Sequence, residues 1–269
     1  MTSDNADNAD DTEDDRLAPP LLNARNALFL DFDGTLVAIA PRPQDVHVAP
    51  WVVPTLRQVQ AALGGALAVL SGRPIEEIDK LLAPLLPVAA GVHGAQRRSG
   101  NGQMWAFDAE PPDLVVRAAH ALGRHHPELL IETKPSAIVV HYRAAPGLET
   151  ICRTTLATAL QGHRDWMLLS GHAVCEIKPR GFSKATALHA FMEEAPFAGR
   201  VPVVIGDDRT DEDAFVAALE SGGLAVKVGP GNTVARYRLG TPAAVLRWLS
   251  TSAEALGRGT RRVDDGEEP

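Results

Sequence analysis

Short apolar segments alternate with longer amphipathic ones from residue 26 onward, and this alternation is the strongest constraint on the fold. Three segments are typical of buried strands: NALFLDF, ALAVLSGR and PVAAGVHG. The segments between them, WVVPTLRQVQAALGG and PIEEIDKLLAPL, are typical of helices. Strands separated by helices of this length predict βαβ units and therefore a Rossmann-like α/β fold with a parallel sheet.

The pattern changes between residues 105 and 178. A helix is predicted around PPDLVVRAAHALGRHH, an antiparallel pair of strands over IETKPSAIVVHYR, a second helix over GLETICRTTLATALQGH, and two strands at MLLS and AVCEIKP. This α-β-β pattern, repeated once, predicts a small α+β cap domain at 105–178. The core is then formed by residues 24–104 and 179–250, because strand and helix signals resume after the insert.

Both ends of the chain are predicted to lie outside the folded core. The formal net charge is −8, but the first sixteen residues, MTSDNADNADDTEDDR, carry −6 of it. Such a segment buries too little apolar surface to offset the entropy of ordering, so residues 1–19 are predicted to be a disordered acidic leader. Residues 257–269 are predicted to be a flexible tail. The charge left on the core gives no reason to expect a nucleic-acid partner.

The sequence also indicates where the protein works. The N-terminus lacks a basic stretch followed by an apolar one, and no segment approaches the ~20 apolar residues that a membrane span requires. The two cysteines, Cys152 and Cys175, do not form a C-x-x-C motif. We therefore expect a cytoplasmic protein with reduced thiols and no membrane partner.

Polar, reactive side chains follow three of the predicted strands. The first strand ends in Asp31-x-Asp33-Gly-Thr35 and the second in Ser71-Gly-Arg73. A later one ends in Gly206-Asp207-Asp208-x-Thr210-Asp211. Turns also favour Asp, Gly and Ser, so each motif alone is weak evidence. Together they predict a ligand site, because the carboxyl ends of parallel strands meet at one edge of a sheet.

The aspartates of these motifs predict a metal site. Like charges crowded together repel each other unless a cation or a proton relieves them. Asp31, Asp33 and Asp207 are the predicted ligands. For Asp208 and Asp211 a support behind the ligands is favoured, and direct contact with the metal is left open. Mg²⁺ suits carboxylates, waters and a substrate phosphate. No His or Cys pair has zinc-site spacing.

The set DFDGTLV, SGR, a later lysine and GDDRTDEDAF resembles the haloacid dehalogenase-type phosphatases. The resemblance implies that Asp31 attacks phosphorus and forms an aspartyl-phosphate, and that Asp33 is the general acid and base. Ser71 is implied to hydrogen-bond a phosphoryl oxygen. Lys184, which opens a helix after the insert, is implied to bind phosphate, although Ala185 stands where that family usually has glycine.

Within that superfamily the chain is most similar to the trehalose-6-phosphate phosphatases. The closer match is carried by AGVHGAQRR, ETKPSAIVVHYR, CEIKPRGFSK, EEAPFAGRVPVVIGDD and GLAVKVG. The resemblance implies trehalose 6-phosphate as substrate and sugar contacts from Lys134, Glu176 and Lys178 of the insert, supported by His141 and Arg143. Gly72 and Arg73 at the core edge are further candidates for substrate binding, and Arg73 could instead hold the hinge of the insert by ion pairing. Without the resemblance, a solvated sheet face would be the preferred interpretation of the charges of the insert.

Several alternatives stay open. A related enzyme could act on sucrose phosphate or a mannosyl phosphoglycerate. A phospho-accepting signalling module would be phosphorylated on Asp31 without rapid hydrolysis, although Asp33 and the long insert argue against it. His93 is either a core histidine or a support for the site. A functional partnership with a trehalose-phosphate synthase and closure of the insert as a lid are further expectations.

Overall fold

The computed structural model describes residues 18–171 and 173–264, with side chains described up to residue 258. The described residues form the following strands in chain order: β1 (Asn26–Leu30), β2 (Leu67–Leu70), β3 (Val88–Gly91), β4 (Gln96–Arg98), β5 (Met104–Ala106), β6 (Leu130–Lys134), β7 (Ala137–His141), β8 (Trp166–Gly171), β9 (Val174–Pro179), β10 (Val201–Gly206), β11 (Leu224–Val228) and β12 (Tyr237–Leu239). They also form these α-helices: α1 (Val52–Ala62), α2 (Ile75–Leu82), α3 (Asp113–His125), α4 (Glu149–Ala159), α5 (Lys184–Met192), α6 (Arg209–Glu220) and α7 (Pro242–Asp264).

The larger of two sheets has eight strands in the order β12-β11-β10-β1-β2-β3-β4-β5. The pairs from β12 to β3 are parallel, and β4 and β5 are added antiparallel at one edge. Strand β1 lies between β10 and β2, and all five of its residues are buried. This confirms the predicted α/β fold with a parallel sheet.

The smaller sheet has four antiparallel strands in the order β6-β7-β9-β8. One face packs on α3 and α4 through a separate apolar cluster that includes Ile138, Cys175, Leu156 and Val115. Because side chains alternate across a strand, the opposite face carries the polar residues of the same strands. The elements from α3 to β9 repeat α-β-β, as the sequence predicts. The domain limits at residues 105 and 178 stay predictions.

Three short strands were not predicted. Strands β4, β5 and β12 have three residues each and contain no fully buried side chain. They extend the larger sheet at its two edges. Their sequences, QRR, MWA and YRL, lack the apolar run that identified the central strands, so the pairing partner decides their structure.

The structure describes more of the C-terminal end of the chain than of the N-terminal end. The predicted acidic leader lies outside the described residues up to residue 17. Helix α7 continues to Asp264, so residues 257–264 of the predicted flexible tail are helical, and residues 265–269 lie outside the described part. Among the helices of the described residues, none combines the length and the apolar composition that crossing a membrane requires.

Candidate active site

A cavity of about 820 Å³ lies between the carboxyl edge of the larger sheet and the polar face of the smaller sheet. Strands β1, β2, β10 and β11 run parallel, so the residues after them meet at its floor. The opposite wall is formed by residues of the smaller sheet, including Lys134, Val139, Leu169 and Glu176. The cavity therefore has a core side, formed by the larger sheet, and a cap side, formed by the smaller sheet.

Asp31 follows β1 directly and is 5% exposed. Its backbone N–H donates to the Ile205 carbonyl at 2.9 Å, which continues the pairing of β1 with β10. Gly34 allows the chain to turn away at φ +86°, and a Cβ at this position would lie 2.1 Å from Asp207 Oδ2. The glycine of the DFDGT motif therefore permits the loops after β1 and β10 to approach closely.

Lys184 places a positive charge between two buried carboxyl groups. Its Nζ donates to Asp31 Oδ1 at 2.5 Å and to Asp211 Oδ1 at 2.7 Å. Lys184 is the first residue of α5, where a cation is unfavourable to the helix dipole. The two carboxyl groups offset that cost. Burial alone would lower the pKa of Lys184, but Asp211 and Asp31 hold it well above its ordinary value.

Oxygen atoms of Asp31, Asp207 and Asp211 lie within 4.8 Å of one another. Burial, followed by repulsion from neighbouring carboxylates, raises the pKa of Asp207 to about 6. Burial raises the pKa of Asp31 and of Asp211 well above the ordinary value in spite of Lys184. Three carboxyl groups share one lysine, so full ionisation leaves a charge of −2 among these four side chains. Oxygen ligands with an uncompensated negative charge are suited to binding a hard divalent cation.

Asp33 lies apart from that acidic cluster and pairs with Arg73. The guanidinium donates through Nε to Asp33 Oδ2 at 2.7 Å and through Nη2 to Asp33 Oδ1 at 2.8 Å. Arg73 is also bonded to Glu77 and to the Pro43 carbonyl. The buried Ser71 Oγ accepts a hydrogen bond from the Arg73 backbone N–H at 3.1 Å. Arg73 thus connects the motifs that follow β1 and β2.

The cap wall carries a row of neighbouring side chains. Glu132, Val139, Glu176 and Leu169 are successive partners across β6, β7, β9 and β8, so they share one face. Lys134 lies beside this row, and its Nζ donates to the Gly72 carbonyl of the core at 2.9 Å. Burial would raise the pKa of Glu176, but Lys134, His93 and Lys178 lower it to about 2. Glu176 is therefore an anion at neutral pH.

Three more cap residues of the predicted site occupy different positions. His141 Nε2 lies 2.8 Å from Glu132 Oε2, and Arg143 Nη1 donates to the Ala40 carbonyl at 2.5 Å. Both line the cavity. Lys178 is buried and donates to the Phe182 carbonyl, and the described residues that line the cavity do not include it. The structure therefore brings the other predicted residues together around one cavity and leaves Lys178 behind its wall.

A buried lysine at the cavity was not among the predicted site residues. Lys227, 5% exposed, donates from Nζ to the Asp207 carbonyl at 2.5 Å and to the Val228 carbonyl at 2.6 Å. It fixes the loop that carries Asp207. The signal in the sequence is a charged residue inside the apolar strand GLAVKVG, since a buried strand excludes lysine unless the ammonium is hydrogen-bonded.

Known proteins are similar to this chain in sequence and in architecture. The family model for trehalose-phosphatases matches residues 29–240. A trehalose-6-phosphate phosphatase of Escherichia coli K12 is 42% identical over 253 residues, covering 92% of this chain and 95% of the relative. A bifunctional trehalose-6-phosphate synthase/phosphatase of Thermoproteus tenax is 31% identical over 226 residues, covering 80% of this chain and 30% of the relative.

Structural similarity extends to a solved fungal protein. The C-terminal domain of the Candida albicans trehalose-6-phosphate phosphatase aligns with a TM-score of 0.77 at 21% identity, covering 86% of this chain and 93% of that one. At this identity the match shows the fold alone. The sequence matches confirm the resemblance drawn from the motifs and place the chain among phosphoric monoester hydrolases with a haloacid dehalogenase-like core. The chain belongs to the trehalose-phosphatase family.

Proposed function

We propose that this chain hydrolyses trehalose 6-phosphate to trehalose and inorganic phosphate through a phosphoryl ester on Asp31. The observation that carries the proposal is the bridge from Lys184 Nζ to Asp31 and Asp211 at the floor of a cavity whose opposite wall is polar. The named activity of the Escherichia coli relative, at 42% identity, supports the substrate.

In the first step an oxygen of Asp31 attacks phosphorus, and the bond between phosphorus and the sugar oxygen breaks. Asp33 gives its proton to that leaving oxygen. Lys184 offsets the charge on the phosphoryl oxygens, and the Ser71 hydroxyl donates a hydrogen bond to one of them. The buried position of Asp31 keeps bulk water away from the bond that forms.

In the second step Asp33 takes a proton from water, and the water oxygen attacks phosphorus. The bond from Asp31 to phosphorus breaks, which releases phosphate and restores both carboxyl groups. The guanidinium of Arg73 holds the Asp33 carboxylate in one orientation through two hydrogen bonds. Each carboxylate oxygen keeps a further lone pair for the proton transfer.

Asp31, Asp207 and Asp211 would hold the divalent metal that family membership implies, and we propose Mg²⁺ for this position. The ion supplies positive charge to the phosphoryl oxygens and permits the three carboxyl groups to be ionised together. Asp33 was in the ligand set predicted from sequence, and its role as a ligand stays a prediction. Lys227 keeps the Asp207 loop in place.

Sugar recognition is proposed for the cap wall. The carboxylates of Glu132 and Glu176 accept hydrogen bonds and the ammonium of Lys134 donates them, which suits a ligand with many hydroxyl groups. His141 and Arg143 support this wall, and Gly72 and Arg73 contribute from the core edge. A polar site of this kind discriminates strongly against analogues that lack a hydroxyl. Lys178 lies behind this wall, and its positive charge helps to lower the pKa of Glu176.

A functional partnership with a trehalose-phosphate synthase is also proposed. It is supported by the Thermoproteus tenax relative, whose name combines synthase and phosphatase and of which 30% is covered by the match to this chain. Cytoplasmic location stays a prediction. Co-purification of the chain with a synthase from its own cells, against a matched unrelated bait, would test the partnership.

Phosphate release from a panel of sugar phosphates tests the substrate. We expect trehalose 6-phosphate to be hydrolysed with a kcat/KM at least ~100-fold above those of sucrose phosphate, mannosyl phosphoglycerate and glucose 6-phosphate. Activity should disappear with a chelator and return with Mg²⁺. Similar kcat/KM values across the panel would contradict the narrow substrate. A stable phosphoprotein without turnover would point to the signalling module instead.

Replacement of the nucleophile tests the covalent route. Asp31→Asn should lower kcat by about 10⁴-fold or more, because the amide cannot form the phosphoryl ester. Its melting temperature should not fall, because the substitution removes a buried carboxyl group that is costly to ionise. Asp165→Asn, at an exposed position, is the matched control. Retention of most activity by Asp31→Asn would exclude the mechanism.

A further inference from the structure

Residues 92–94 adopt a backbone conformation that needs an explanation. Val92 has φ +47°, His93 has φ +52° and Gly94 has φ +100°. Left-handed backbone is rare for residues other than glycine and is a genuine outlier for a β-branched valine. The backbone of Val92 and His93 is therefore strained, and such strain persists where the surroundings fix it. The strain therefore indicates that the position of this segment is strongly constrained.

The segment is held between two loops of the active site. The Val92 N–H donates to the Arg73 carbonyl and the His93 N–H donates to the Ser71 carbonyl, both at 3.0 Å. On the other side, a Cβ on Gly94 would lie 2.7 Å from the Ser183 carbonyl, directly before Lys184. Residues 92–94 thus have a fixed position relative to the groups that handle phosphate.

The side chain of His93 reaches from the core to the cap. Its Nε2 lies 3.0 Å from Oε2 of Glu176, and the two residues are 8% and 4% exposed. A Cβ at Gly72 would lie 2.7 Å from His93 Nε2, so the SGR loop leaves room for the imidazole. The left-handed backbone of His93 directs the ring along this path.

The protonation of the pair follows from the charge of Glu176. Its pKa is about 2, so the carboxylate accepts, and Nε2 of His93 carries the proton of the hydrogen bond. Oε1 of Glu176 is buried and has no hydrogen-bond partner among the described residues, and it lies 3.7 Å from Lys134 Nζ. One carboxylate oxygen is thus fixed by His93, while the other is ion-paired with Lys134 and lacks a hydrogen-bond donor among the described residues, so it can accept from a ligand hydroxyl.

We propose that His93 is a positioning residue for substrate recognition: it fixes the Glu176 carboxylate so that its other oxygen accepts a sugar hydroxyl when cap and core are together. The proposal rests on the proposed function and adds the residue that couples the cap glutamate to the phosphate-handling loops. His93 touches neither phosphorus nor the reacting carboxyl groups, and its effect therefore depends on the sugar part of the substrate.

Two substitutions at His93 separate the effect of side-chain length from the effect of the left-handed backbone conformation. His93→Asn keeps a side chain that tolerates left-handed backbone but is too short to reach Glu176. His93→Gln places an amide N–H near the position of Nε2. We expect His93→Asn to lower kcat/KM for trehalose 6-phosphate by ~10–100-fold, chiefly through KM, and to affect 4-nitrophenyl phosphate several-fold less. His93→Gln should recover most of the loss, and His120→Asn, at an exposed position, should behave as the wild type.

Other outcomes would overturn the proposal. Equal losses on the two substrates, or no recovery by His93→Gln, would leave His93 with a structural role only. An unchanged His93→Asn would remove any role. The wild-type chain gives a second measurement if the variants fail to fold: long-range proton–nitrogen NMR of the histidine rings should show His93 protonated on Nε2, and an Nδ1–H ring would contradict the proposal. Wild-type inactivity toward trehalose 6-phosphate would instead refute the proposed function.

Discussion

Two aspartates one residue apart are accommodated because each receives its own cation. Asp31 is bonded to Lys184, and Asp33 is bonded to Arg73. The i, i+2 spacing predicts that both side chains point the same way from an extended strand. Strand β1, however, ends at Leu30, so both aspartates lie in the loop, where the chain turns. This separation gives one carboxyl group to the attack on phosphorus and the other to proton transfer.

The glycine after these aspartates provides a test of how closely the loops must approach. Gly34→Ala should abolish binding of the divalent metal and lower kcat by at least ~100-fold, because the new Cβ would collide with Asp207. Gly102→Ala is the matched control. Gly102 has almost the same φ, +83°, but a Cβ there meets nothing within 4 Å.

The comparison separates steric collision from backbone strain. Both substitutions should cost about 1 kcal/mol of stability through left-handed alanine backbone, and the collision with Asp207 should add a further cost in the Gly34 variant alone. Metal binding, measured by titration calorimetry, should be lost in the Gly34 variant alone. Equal metal affinity in the two variants would show that Asp207 does not need this approach.

The sequence could predict the position of a site residue where the residues it contacts also belong to recognisable motifs. Asp31, Asp207 and Lys184 could be predicted to meet because each stands at a strand or helix end of a parallel fold. The motif could not decide whether Asp211 contacts the metal or supports the ligands from behind. In the structure its Oδ2 accepts from the Asp207 and Asp208 N–H groups, and its Oδ1 accepts from Lys184. Lys227 could not be predicted in this way, because it donates to backbone carbonyls, which no sequence motif identifies.

The depressed pKa of Glu176 predicts a pH dependence of stability. The pKa is about 2 in the folded protein and 4.5 ordinarily, so the charge contributes stability above pH 4.5 that is lost as the pH falls toward 2. Glu176→Gln should therefore lower the free energy of unfolding by about 3 kcal/mol at pH 7 and by clearly less at pH 3. Denaturant unfolding at pH 3, 5 and 7 measures the difference, with the exposed Glu128→Gln as control. A constant difference across these pH values would show that the carboxylate charge contributes nothing.

At the scale of elements, burial decided which strands the sequence could reveal. Strands β1, β2 and β10 are buried runs of apolar residues, so they stand out from the helices beside them. Strands β4, β5 and β12 lie at or next to the sheet edges, where one exposed face removes the need for apolar residues. Edge strands therefore depend on pairing that a local sequence does not encode.

Helix α5 shows how an element positions a catalytic group. Ser183 caps its N-terminus: Oγ accepts from the Thr186 N–H, and the Thr186 hydroxyl side chain accepts from the Ser183 N–H. This cap fixes the turn that presents Lys184 to Asp31. Ser183→Ala should lower the free energy of unfolding by about 1 kcal/mol and kcat by several-fold, because the first turn loosens.

The control for this helix cap is Thr154→Ala, which removes an exposed hydroxyl from the interior of α4. It should change neither kcat nor the free energy of unfolding by more than about 0.5 kcal/mol. Chemical denaturation and steady-state kinetics on the same preparations give both quantities. A Ser183 variant as stable and active as the control would show that Lys184 is positioned by its carboxyl partners alone.

At the scale of the whole molecule, the apolar cores of the two sheets are joined by polar contacts and by one small apolar cluster that contains Val92, Ala95 and Ala137. Each sheet packs its own cluster. Between them lie the hydrogen bonds from Lys134 to the Gly72 carbonyl and from Arg143 to the Ala40 carbonyl, together with the pair of His93 and Glu176. The polar contacts exchange readily with water, and the joining apolar cluster is much smaller than the core of either sheet. Relative motion of cap and core is therefore the expected way for substrate to enter.

Small-angle scattering tests this motion. The radius of gyration should fall when Mg²⁺, orthovanadate and trehalose are added together, because the vanadate occupies the phosphoryl position, the sugar engages the cap wall and the cavity closes around them. Asp31→Asn with the same additions is the control, since it lacks the carboxyl group that binds the vanadate. Arg143→Ala, which removes one of the joining hydrogen bonds, should have a larger radius than the wild type without ligand. Identical radii for the wild type with and without the additions would show that cap and core form a rigid unit and that substrate enters through the open mouth of the cavity.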